Sequence, residues 1–163
     1  MPDLLVRPHA PDADGCVLSI TPASAGWSHV GFAVHRLAPG ATLAGGEAGR
    51  EVCLVMVSGS ARIAAGGIDF GEVGGRASPF EGPPASVYAP AGCAWSLTAT
   101  GAAEVAVCTA PGIAGSRAPR LIGEADVRLS TRGSGTNQRH IRDILPETAA
   151  ADSLLVVEVI TPG

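Results

Sequence analysis

The residues able to do acid–base or metal chemistry are few and widely spaced. Glu51 stands immediately before an uninterrupted apolar run, Val52 to Val57, and Glu47 lies one short segment upstream. A divalent ion of the zinc or manganese kind needs three or four N or O donors converging at about 2.0–2.3 Å. His9, His29, His35 and His140 fall on separate stretches without metal-ligand spacing, so each reads as a surface or hydrogen-bonded imidazole. His140 and Asp143 share a face if their stretch is helical, but no serine or cysteine nucleophile stands beside them, and local pairing is the simpler reading. Gly133-Ser134-Gly135 has the opening of a phosphate loop, yet Gln138 occupies the third glycine position of a dinucleotide fingerprint and no clear strand precedes it. Glu51, Arg76, Tyr88 and Trp95 are the candidates for lining a pocket. For Arg76, Tyr88 and Trp95, packing and loop bracing is the simpler role. Glu51 keeps two readings: a carboxylate near the core paired with an arginine, or a ligand or acid/base group.

These side chains must be positioned by strands. Val52 to Val57 is too short for a globular helix and is bounded by Ser58, Gly59 and Ser60, which marks a buried strand. Its expected partner is Ser86 to Trp95, where Pro90-Ala91-Gly92 turns the chain between two strands. Further strands are expected at Cys16–Ile20, ended by Thr21-Pro22, and at Val30–Leu37, Ala61–Ala64, Ile68–Phe70 and Glu104–Thr109. Ala41–Leu43 extends briefly, and Gly66-Gly67 signals a two-residue hairpin. No helical period runs from residue 16 to 110, so the spacing predicts an all-β sandwich or barrel. Gly71–Pro84 reads as a loop, Pro111–Gly135 as a connector, and Arg139–Leu145 as a short helix closed by Pro146. Leu154–Ile160 is a strongly apolar strand expected to add to a sheet edge, of its own barrel or of another copy, the latter giving a homo-oligomer.

At 163 residues the chain is one domain, or one with a piece of another, and buries roughly 70% of its unfolded surface. Net charge is −4, every one of the 11 basic residues is arginine, and 4% of residues are aromatic. That combination offers neither the basic face nor the stacking platforms nucleic acid requires. The 4 cysteines form no Cys-x-x-Cys pair, and three lie in apolar runs as reduced core thiols do. Met1–His9 carries Asp3, Arg7 and Pro8 where a secretory leader needs an apolar core, and no run approaches the ~20 residues of a membrane span. A cytoplasmic protein without membrane contact is expected.

Several segments, in order along nearly the whole chain, resemble the 5-deoxy-glucuronate isomerase family of bacterial inositol catabolism, whose members are built of two cupin barrels. They are ITPASAGW (Ile20–Trp27), HRLAPG (His35–Gly40), EVCLVMVSG (Glu51–Gly59), SPFEGPPASVYAPAG (Ser78–Gly92), RGSGTNQRHIRDIL (Arg132–Leu145) and LLVVEVITPG (Leu154–Gly163). ITPASAGW and the Arg132–Leu145 segment are the specific ones; the barrel strands alone would say only cupin. The resemblance implies a cupin-type antiparallel jelly roll over residues 1–110, a connector with one short helix over 111–150, and over 151–163 the first strand of a second cupin, docked on the first or free. In relatives a Pro-Gly like Pro162-Gly163 leads into a His-x-His pair that opens the second barrel's metal site; here the chain stops.

The cupin metal motifs, mapped onto this chain, place their glutamate at Glu51 and a histidine position at Trp95. Residues 41–50 contain no histidine, and the asparagine position is Ala99. The resemblance therefore implies no metal in this chain, and a divalent metal in the second barrel of full-length relatives. For the intact protein it implies aldose–ketose isomerisation of 5-deoxy-D-glucuronate to 2-deoxy-5-keto-D-gluconate, a small sugar acid being the substrate, with catalytic residues in the second barrel. The alternatives are an isomerase of the 5-keto-4-deoxyuronate type and a non-catalytic cupin module for assembly or sugar-acid binding.

Overall fold

Short apolar segments punctuated by glycine and proline pair as antiparallel strands in the computed structural model, which describes residues 5–161. In chain order they are β1 (Cys16–Ile20), β2 (Gly31–Leu37), β3 (Thr42–Gly45), β4 (Arg50–Ser58), β5 (Ser60–Ala65) and β6 (Ile68–Gly74). There follow β7 (Ser86–Ala89), β8 (Trp95–Ala99), β9 (Ala103–Pro111), β10 (Arg120–Ile122), β11 (Arg128–Arg132), β12 (Arg139–Leu145) and β13 (Val156–Ile160). A six-stranded sheet runs β1-β2-β9-β4-β7-β10, a four-stranded sheet runs β3-β8-β5-β6, and a three-stranded sheet runs β11-β12-β13.

The two larger sheets enclose one apolar core. Val52, Leu54 and Met56 of β4, Val87 and Ala89 of β7 and Val105 of β9 meet Ala61, Ile63, Val73, Leu97 and Ala99 of the facing sheet. Side chains alternate across a strand, so Cys53 and Val55 point the opposite way. They join Tyr88, Ala106 and Ala110 in a second core, completed by Ile122, Val127, Ile144, Leu145, Leu154 and Val156. This explains the unbroken apolar run in β4: it is buried on both faces, inward against the other large sheet and outward under the last third of the chain. Gly66 (φ 58°) and Gly67 (φ 81°) form the expected tight hairpin between β5 and β6, where a residue with a β-carbon would be strained.

Four expectations are corrected. Arg139–Leu145 is strand β12, paired to β11 on one side and β13 on the other; a seven-residue segment is marginal as a helix, and ladders along both edges outweigh its propensity. Pro111–Gly135 is more than a connector, because β10 joins the six-stranded sheet beside β7 and β11 begins the third. Ser86–Ala89 does pair with β4 as expected, but the strand after the Pro90 turn begins at Trp95 and belongs to the facing sheet. Thr21-Pro22 ends β1 and also starts a single helical turn, α1 (Pro22–Ala25), with Thr21 and Ser24 capping each other and proline at the first position. The apolar Leu4–Val6 also suggests a short extended piece; Leu4 lies outside the described residues, and Leu5 and Val6 are not in a strand.

Candidate functional site

Glu51, the second residue of β4, lies on its outward face and is fully buried. Its carboxylate accepts a hydrogen bond from the Tyr88 hydroxyl at 2.6 Å and from three successive backbone amides, Asp152 (2.9 Å), Ser153 (2.7 Å) and Leu154 (2.5 Å). No arginine pairs with it among the described residues; the charge is instead met by four donors, which satisfy a buried carboxylate as well as a counter-ion would. Burial, followed by the hydrogen bond to Glu51 and that group's charge, raises the Tyr88 phenol well above its ordinary value, so it stays a donor. Arg120 stacks its guanidinium 4.4 Å from the centre of the Tyr88 ring. Asp152 is tied down in turn by the Ile113 amide and the Ser116 hydroxyl, each at 2.7 Å. Those bonds, with Arg117 nearby, hold its carboxyl below the usual range.

Arg76 makes a second tie between the sandwich and the third sheet. The residue is 7% exposed, and its guanidinium grips Glu158 of β13 through two hydrogen bonds, at 2.6 and 3.0 Å, while also donating to the carbonyls of Val57 and Gly82. Arg142 of β12 reaches the same carboxylate at 2.7 Å and the carbonyl of Pro79 at 2.5 Å. Burial works against the Glu158 charge, but the bonds from the two arginines outweigh it and hold the carboxyl below its ordinary value.

Trp95 lies at the end of the sandwich where β4 begins, away from the Arg76 tie. A cavity of about 130 Å³ there is walled by Trp95, Cys93, Pro90 and Val52, with Glu47, Arg50 and Glu51 as its charged residues. Its neighbour, about 420 Å³, shares Glu47, Arg50 and Thr109 and extends over Phe32, Ala33 and Val107. The indole is packed so closely on Gly45 that a β-carbon there would fall 2.6 Å from the ring. The structure thus brings Glu51 and Tyr88 together, ties Arg76 to a different carboxylate, and places Trp95 at a concavity that Glu51 also borders.

Glu51 and Trp95, the positions matched to the metal motif, do not fit as ligands. Both Glu51 oxygens are committed on the face turned away from the sandwich interior, and the Trp95 indole nitrogen is a donor only. Three of the four histidines are engaged singly: His9 Nδ1 with the carbonyl of Ala10 (2.7 Å), His35 Nδ1 with that of Asp14 (3.2 Å), and His140 Nδ1 with the Thr131 hydroxyl (3.2 Å), while His29 contributes its carbonyl to Arg50. Because β12 is a strand, His140 and Asp143 lie on opposite faces. Gly133 (φ 80°) serves the turn from β11 to β12, where a β-carbon would collide with the carbonyl of Asn137.

Residue type alone does not mark Arg50, Thr109, Glu158 or the amides of residues 152–154 as functional. For Arg50 a signal existed: it shares strand parity with Val52, Leu54 and Met56, and so falls on the inner side. The 152–154 amides had none, since any residue carries a backbone N–H.

Two antiparallel sheets around a shared core, a third folded over the outer face and a polar opening at one end define a protein of the cupin type. The chain belongs to the KduI/IolB family, whose model matches residues 4–163. It is 44% identical over 163 residues to 5-deoxy-glucuronate isomerase of Geobacillus kaustophilus and 42% identical to that of Geobacillus thermodenitrificans, covering 99% of this chain and 59% of each relative. The crystal structure of an IolB-like protein from Salmonella typhimurium superposes with a TM-score of 0.86 at 43% identity, over 92% of this chain and 57% of that one. Oxalate decarboxylase of Bacillus subtilis shares the fold alone, with a TM-score of 0.50 and 22% identity over 64% of this chain and 28% of its own. The chain therefore spans a little under three-fifths of the Geobacillus relatives it matches.

Proposed function

We propose that the chain is the amino-terminal part of a 5-deoxy-glucuronate isomerase, which interconverts 5-deoxy-D-glucuronate and 2-deoxy-5-keto-D-gluconate, and that the proton transfer is carried out by the part of the protein beyond it. The observation that carries this reading is the 44% identity to the Geobacillus kaustophilus isomerase across the whole of this chain. The names of the relatives favour this substrate over a 5-keto-4-deoxyuronate. An aldose–ketose isomerisation needs a base within hydrogen-bond reach of the carbon beside the carbonyl. Glu51 is unsuited to that task, since its oxygens already hold four hydrogen bonds.

In this reading the sandwich is the metal-free half. Its internal ties, Glu51 to residues 152–154 and Arg76 to Glu158, brace the segment that leads onward, while any divalent ion belongs to the second half. The four free thiols support the expected cytoplasmic setting. The test is a hybrid in which this chain replaces the matching residues of the Geobacillus kaustophilus enzyme. Turnover of 5-deoxy-D-glucuronate, with none of 5-keto-4-deoxyuronate, is expected. A soluble, folded hybrid without turnover of 5-deoxy-D-glucuronate would overturn the assignment.

A further inference from the structure

Arg50 is held as a ligand-binding arginine would be. Its Nε and Nη2 donate to Thr109 Oγ1 at 3.3 and 2.9 Å, and Nη2 also donates to the carbonyl of His29 at 2.8 Å. Gly31 leaves room for this arrangement, because a β-carbon there would stand 2.5 Å from Thr109 Oγ1 and 3.3 Å from Arg50 Nη2. All of these partners are neutral. Among the described residues no carboxylate lies within ion-pair distance of Arg50, in contrast to Arg76 and Arg142, and Nη1 has no hydrogen-bond partner. A half-buried guanidinium fixed in orientation by neutral groups, with one nitrogen of its fork unused, is pre-organised for an anion.

The two cavities at this end meet on that side chain. The larger, about 420 Å³, lies within the range of small-molecule sites, and the smaller, about 130 Å³, offers the flat Trp95 ring as a wall. Glu47 lines both. Its negative charge discriminates against a second charge on the ligand and accepts hydrogen bonds from hydroxyl groups. We propose that this end of the sandwich binds a small polyhydroxylated monocarboxylate, with Arg50 anchoring the carboxylate and Glu47 and Thr109 facing the hydroxyls. Glu51 borders the smaller cavity, but its carboxylate oxygens are taken up by Tyr88 and the amides of residues 152–154, and the Arg76 tie lines neither cavity. The site stands or falls independently of the isomerase reading, since it concerns binding by this chain alone.

The test uses the purified chain and D-glucuronate as the probe, with D-glucose as its uncharged counterpart and D-glucose 6-phosphate as a doubly charged one. Binding is followed by calorimetry and by ligand-observed NMR. Saturable binding of glucuronate is expected, with none of glucose and weaker binding of the phosphate, and Arg50→Gln should weaken glucuronate by about tenfold or more. Equal binding of glucose and glucuronate, absence of saturable glucuronate binding, or an Arg50→Gln protein that binds as well as the parent would each overturn the site. Should Arg50→Gln fail to fold, the comparison of glucuronate with glucose on the parent chain decides, and Glu47→Gln should raise the affinity for glucose 6-phosphate.

Discussion

At the scale of single residues, two carboxylates carry unusual loads. Glu51 joins Tyr88 to three consecutive amides more than 100 positions later in the chain. A glutamine there keeps the shape but turns one acceptor into a donor facing amides. Glu51→Gln should therefore cost about 3 kcal/mol and Tyr88→Phe about 1 kcal/mol, measured by urea unfolding. Equal small losses would mean that the four short bonds are not made in solution. Glu158 gives a pH signature. Its folded carboxyl titrates below the ordinary value, so the unfolded chain takes up the proton first as the solution is acidified. The stabilisation is whole above about pH 5 and is lost as pH falls through the lowered folded value. Glu158→Gln should flatten the part of the acid-unfolding curve below about pH 4 while lowering stability at neutral pH. An unchanged acid limb would remove Glu158 from the account.

At the scale of elements, β13 and the segment before it should follow parity. Leu154 and Val156 are buried in the second core, while Leu155 is 63% and Val157 54% exposed. Leu154→Ala should cost about 3 kcal/mol, whereas Leu155→Ala and Val157→Ala should stay within about 0.5 kcal/mol. A uniform response along the segment would mean it is not docked on the sandwich. The same parity marks what could be read beforehand. The β4 run, the Gly66-Gly67 hairpin and the Pro90 turn follow from local chemistry, and so does the all-β class. Arg139–Leu145 taken alone reads as a helix because what makes it a strand lies outside it, in β11 and β13. Trp95 could be placed at an opening from its position after the turn, but the destination of Glu51 could not, because its partners are backbone amides. Arg50 and Thr109 meet only through the β4–β9 register, which pairs Val52 with Thr109.

At the scale of the molecule, the last third of the chain is folded over the outer face of the six-stranded sheet, so both faces of β4 are buried and the sandwich and third sheet share a core. The Arg76–Glu158–Arg142 cluster and the Glu51 latch then act at two separate points of the same contact. A chain with so much internal support should fold by itself, while the isomerase reading assigns its chemistry to what lies beyond. The most direct measurement of that division follows conversion of 5-deoxy-D-glucuronate by proton NMR, with residues 1–163 alone and with the Geobacillus hybrid, each with and without added manganese or zinc. The account predicts a folded but inactive chain under every condition and an active hybrid. Turnover by the isolated chain, above all turnover stimulated by metal, would contradict it and return the catalytic centre to the sandwich.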